Sequence, residues 1–94
     1  MNNVDIILPT YNCAEYIEEA INSVIGQTLE NWKLIIIDDA SKDSTTSLIK
    51  NYLNDKRIVL KVLKKNKGQG FCRNLALRYS NSKYVAFIDS DDIW

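Results

Sequence analysis

Apolar and polar positions alternate along the chain in blocks whose period switches repeatedly between strand and helix. Val4 to Leu8 is a short apolar run ended by Pro9, which predicts a first strand. Asn12 then stands where a helix N-cap would, and Glu15 three residues on completes a capping-box pattern. Ile17, Ala20, Ile21, Val24 and Ile25 recur at helical spacing as one apolar face, and Gly26 closes it. Lys33 to Ile37 is almost continuously apolar, the mark of a strand buried on both sides. After the polar stretch 38–43, with Asp43 as cap, Leu48, Ile49, Tyr52 and Leu53 predict a second helix. Ile58 to Leu63 reads as a third strand, and 64–70 as a basic, glycine-containing loop. Phe71 to Tyr79 reads as a third helix with Leu75 and Tyr79 inward, and Tyr84 to Ile88 as a closing buried strand. Strand and helix in strict alternation predict an α/β fold with a mostly parallel sheet and helical crossovers.

Such sheets bind ligands beyond the carboxyl ends of their strands. Those ends carry Pro9-Thr10-Tyr11-Asn12, Asp38-Asp39, the basic loop, and Asp89-Ser90-Asp91. Alternate residues of an extended segment point the same way, so Asp89 and Asp91 would share a side. Two carboxylates that close repel unless a proton or a cation lies between them, and hard Mg²⁺ or Mn²⁺ suits oxygen donors. A solvated acidic turn is the competing account.

Composition narrows the choice. Ninety-four residues with 46% apolar and 26% charged content describe one small globular domain. No apolar run approaches a membrane span and the start lacks a signal peptide's basic region, so a cytoplasmic protein is expected. The chain has no histidine, and Cys13 and Cys72 lie far apart, which excludes a zinc site or a cysteine–histidine nucleophile and predicts free buried thiols. The net charge is zero but segregated: residues 1–55 hold nine acids and three bases, 56–83 nine bases and no acid, and 84–94 three acids and no base. The basic band could cradle a diphosphate or be a solvated face. No aromatic residues interleave its lysines, which speaks against nucleic acid.

The first strand–helix turn has none of the glycines of a nicotinamide-binding domain. The acidic pair follows the second strand rather than the first, which does not fit a phospho-accepting receiver domain. By contrast, "ILPTYNCAEYIEEAINSVIGQT", "WKLIIIDDASKDST", "NKGQGFCRNLAL" and "KYVAFIDSDDIW" together resemble the family-2 inverting glycosyltransferases of GT-A fold, in the family's order and over essentially the whole chain. The resemblance implies a Rossmann-like, three-layer half-domain, residues 1–94, that binds a nucleoside-diphosphate sugar, a UDP-sugar by preference. It implies that Pro9 and Tyr11 begin the nucleotide pocket, with the Tyr11 ring stacking on the base, and that Asp39 accepts a hydrogen bond from the base while Asp38 holds the loop. Lys67, Gly68 and Arg73 would run towards ribose and phosphates. Asp89-Ser90-Asp91 matches the family's Asp-x-Asp motif, in which Asp91, with Asp89 beside it, would hold Mn²⁺ or Mg²⁺, and Ser90 would border the donor.

The acceptor, a saccharide or a lipid-linked one, is expected to be deprotonated by a base downstream of that motif. The chain ends three residues after Asp91, so that base is expected beyond Trp94 and no catalytic residue is assigned within it. The unpaired edge of a fragment ending on a strand is expected to allow a homodimer. A non-catalytic sugar-nucleotide-binding module would use the same residues. A nucleotidyltransferase would also use an acidic metal pair, but would want a glycine-rich basic loop after the first strand.

Overall fold

In the computed structural model, residues 4–27 and 31–88 are described. They form β1 (Val4–Thr10), α1 (Ile17–Ile25), β2 (Trp32–Asp38), α2 (Thr45–Lys50), β3 (Ile58–Val62), α3 (Gln69–Tyr79) and β4 (Tyr84–Phe87). The four strands make one parallel sheet in the order β3-β2-β1-β4. The closing strand therefore lies beside the first, and β3 at the opposite edge.

The sheet separates two apolar layers because successive strand residues face opposite sides. Ile6, Leu8, Leu34, Ile36 and Ile58 pack with Ile17, Ile21 and Val24 of α1 and Ile49 of α2. Ile7, Ile35 and Ile37 pack on the other face with Cys72 and Ala76 of α3. Every apolar residue from Leu34 to Ile37 is buried, as a strand covered on both faces requires. The result is the expected three-layer α/β sandwich.

Local readings differ at several points. Pro9 does not end β1, which continues to Thr10. Ile7, two residues earlier, accepts from the Ile88 amide on the β4 side. Pro9 faces that same side, and its missing N–H coincides with the end of the β1–β4 pairing at Ile7 and Phe87. Asn12 is no N-cap. Helix α1 starts at Ile17 behind Tyr16, with no side-chain cap, because Cys13 to Tyr16 form a turn in which the Cys13 carbonyl accepts from the Tyr16 and Ile17 amides. Asp43 stands one residue outside the α2 cap position, yet its Oδ1 accepts from the Thr45 amide at 2.9 Å and so serves the same first turn.

Helix α2 stops at Lys50, leaving Leu53 exposed, while Tyr52 packs on the core. Tyr79 points outward at 49% exposure; Cys72 and Ala76 are the inward residues of α3, with Leu75 beside them. Strand β4 is an edge strand: Tyr84, Val85 and Phe87 are exposed, and only the following Ile88 is buried. Its aromatic and β-branched content reports extended backbone, not burial. No helix among the described residues is long and apolar enough to cross a membrane.

Candidate donor-nucleotide site

At the carboxyl end of the sheet a cleft of about 410 Å³ opens between the β1–α1 loop and the β3–α3 loop. Pro9, Thr10, Tyr11, Asp39, Gly68 and Cys72 line it, so four residues read from the sequence as nucleotide-binding meet here. Asn66 and Gln69 also line it, and sequence reasoning had assigned them nothing. Their signal was their place in the loop that carries Gly68.

Two neighbouring carboxylates divide the work of building this cleft. Asp38 is buried and tied inward. Its Oδ1 accepts from the hydroxyls of Thr10 and Ser41, both at 2.6 Å, and its Oδ2 from the Ser41 amide at 2.8 Å. It holds the loop, as the sequence reading allowed. Asp39 is 4% exposed and faces the cleft. Its Oδ1 accepts from the Lys67 amide at 2.6 Å and its Oδ2 from the Gly68 amide at 2.8 Å. The Asn66 Nδ2 adds a 3.3 Å bond to the Asp39 carbonyl. Asp39 thus fastens the basic loop to the end of β2, and a carboxylate oxygen keeps a further lone pair after one such bond.

Gly68 has φ +91, a left-handed backbone that glycine adopts without penalty, and this aims its amide at Asp39. Lys67 contributes that backbone amide, while its side chain is exposed and does not line the cleft. Arg73 lies outside the cleft as well. It is half-buried on α3, with its guanidinium 6.0 Å from the Phe87 ring centre, on the flank where β4 ends. Tyr11 stays 46% exposed at the cleft wall, where an aromatic side chain can pack on a flat partner.

Cys72 forms part of the floor. Desolvation by burial, reinforced by the charges of Asp39 and Asp38, pushes its thiol up to about 11. It is a neutral apolar surface at pH 7, not a nucleophile. Cys13 is also buried, and neither cysteine forms a disulfide, as expected.

Asp89, Ser90 and Asp91 lie outside the described residues. Among the described residues no group of three or more Asp, Glu, Cys or His side chains is placed to hold a metal. The two carboxylates are hard oxygen donors, which fits Mg²⁺ or Mn²⁺ rather than a softer ion.

The pattern of glycosyl transferase family 2 matches residues 5–94. The chain belongs to that family. A curated relative, the UDP-Glc:alpha-D-GlcNAc-diphosphoundecaprenol beta-1,3-glucosyltransferase WfgD of Escherichia coli, is 43% identical over 91 residues, covering 97% of this chain and 36% of WfgD. Among solved structures, S. aureus TarS in complex with UDP-GlcNAc superposes with a TM-score of 0.92 at 34% identity, over 99% of this chain and 27% of that one. The mannosyltransferase PcManGT from Pyrobaculum calidifontis, solved with GDP-Man and Mn²⁺, gives 0.91 at 28% identity, over 98% of this chain and 28% of that one. The fold is that of GT-A glycosyltransferases, and the family-2 chain spans roughly a third of the length of these relatives.

Proposed function

We propose that this chain is the donor-binding part of an enzyme that transfers a sugar from a UDP-sugar to a saccharide or lipid-linked acceptor in cell-envelope glycan synthesis. The observation that carries the reading is the meeting of Tyr11, Asp39 and Gly68 in one cleft at the carboxyl edge of a family-2 sheet. WfgD is named for a UDP-Glc donor and a diphosphoundecaprenol acceptor, and TarS was solved with UDP-GlcNAc. Both favour uridine over the guanosine of GDP-Man. An acceptor on a lipid diphosphate fits enzymes working at the cytoplasmic face of a membrane. Among the described residues β4 pairs with β1 alone, and a homodimer through that edge finds no support.

In this reading the Tyr11 ring stacks on the base and Asp39 takes a base N–H with its remaining lone pairs. Gly68 and Lys67 lead towards ribose and phosphates, and the cations of Lys67 and Arg73, both outside the cleft, would meet the part of the donor that extends beyond it. Asp89 and Asp91 would hold a divalent cation, with Ser90 beside the donor. When bound, such an ion supplies neutralising charge for the departing diphosphate.

Titration of UDP with and without Mn²⁺ tests the assignment. The wild-type chain is expected to bind weakly, on the order of millimolar or about −4 kcal/mol, and better with Mn²⁺. Asp91→Asn should lose the gain from metal and keep the metal-free affinity. Asp39→Ala should weaken binding by a similar factor in both conditions. Equal Mn²⁺ enhancement in wild type and Asp91→Asn would remove Asp91 from the ligand set.

A further inference from the structure

We propose that Asn12 is a positioning residue for the nucleotide stack: it fixes the Tyr11 ring by stapling the β1–α1 loop to the β2–α2 loop. This rests on the reading of the cleft as a nucleotide site. Asn12 has φ +48, in the left-handed region that most side chains avoid and asparagine tolerates. Its side chain is exposed, so core packing does not account for it. It forms a reciprocal pair of bonds across the two loops. The Asn12 amide donates to Ser41 Oγ at 2.9 Å, and Asn12 Oδ1 accepts from the Lys42 amide at 2.8 Å.

The anchor on the far side is rigid, because Ser41 is itself held by the buried Asp38 through its hydroxyl and its amide. Thr10 donates to the same Asp38 oxygen, and the Thr10 carbonyl accepts from the Asp39 amide at 2.8 Å. Tyr11 is therefore fastened on both flanks, through Thr10 on one side and Asn12 on the other, while its ring stays free to meet a ligand. A platform ordered in advance spares the ligand the cost of ordering it. The Cys13 amide, held by Thr45 Oγ1 at 2.9 Å, and the Ala14 amide, held by Asp43 Oδ2 at 3.2 Å, fasten the loop further along, so Asn12 supplies the link nearest the ring.

A double-mutant cycle on UDP affinity tests this. Asn12→Gly accepts the left-handed backbone but removes Oδ1. It should weaken UDP binding by roughly two- to tenfold, the cost of ordering one side chain. In a Tyr11→Ala background the same change should have no further effect, because the ring it positions is gone. Asn12→Asp keeps an acceptor for the Lys42 amide and should recover most of the loss. Binding of inorganic diphosphate with Mn²⁺, which has no base to stack, should be the same in wild type and Asn12→Gly. Equal losses in the wild-type and Tyr11→Ala backgrounds would overturn the proposal. So would an Asn12→Asp affinity as low as that of Asn12→Gly, or a matching loss of inorganic diphosphate binding. Failure of the wild type to bind UDP at all would instead remove the nucleotide reading, and the proposal with it.

Discussion

Ala40 turns the chain at φ +64 immediately after Asp39, a conformation that costs an ordinary residue about 1–2 kcal/mol. The turn lets Ser41 fold back on Asp38 while Asp39 faces the cleft, so the strain sits where the two acids take their separate jobs. Ala40→Gly should relieve that strain and stabilise the protein by about 1 kcal/mol at most, since the freer unfolded chain offsets part of the gain. Thermal unfolding would show this as a higher midpoint; a lower one would mean the backbone is not strained there. That Asp38 holds the loop came from the family resemblance; that Asp39 also fastens the basic loop, through the Lys67 and Gly68 amides, was not legible in the sequence. Nor was the role of Asn12. Asn-x-x-Glu ahead of an apolar helix spells a capping box locally, and nothing local reveals partners at residues 41 and 42.

Between elements, Asp5 does what its position in β1 does not announce. It is fully buried at the amino end of the sheet, where its carboxylate accepts from Ser82 Oγ at 2.5 Å and the Asn81 amide at 3.2 Å. These bonds pin the α3–β4 connection against β1 and help set the register that pairs Asp5 with Val85. Desolvation would raise its pKa, but the bonds from Ser80, Ser82 and Asn81 together outweigh it and leave the pKa below the usual value. A carboxylate whose folded pKa is depressed stabilises the protein above about pH 4, the unfolded value, and that contribution fades as pH falls through the folded one. Asp43, lowered mainly by the Thr45 hydroxyl, and Asp55, lowered mainly by Arg57, act in the same sense. Asp5→Asn should lower stability at pH 7 by about 1–3 kcal/mol and make the acid limb of the stability–pH curve shallower. An unchanged acid limb would show that Asp5 contributes nothing to it. Element order and type were readable from periodicity, while exposure at the edges was not. Tyr84, Phe87 and Tyr79 have strand- and helix-compatible side chains wherever they sit, and only the sheet order reveals that β4 has one neighbour among the described strands.

For the molecule as a whole, the sheet order has a consequence in time. Val4 pairs with Trp32 on one side and with Tyr84 on the other, so the two ladders flanking β1 close loops of very different length. Longer closures cost more entropy before any contact repays it, which favours β1–β2 pairing early and β4 docking late. Ile35→Val in β2 should therefore slow folding, whereas Ala86→Gly in β4 should chiefly speed unfolding. Folding and unfolding rates across denaturant would separate these effects, and equal slowing of folding by both changes would contradict the order. A chain made from its N-terminus also meets its strands in that sequence. The walls of the cleft, Tyr11, Asp39 and Gly68, can assemble while β4 is still unpaired, so the cleft takes shape before the last strand of the sheet docks.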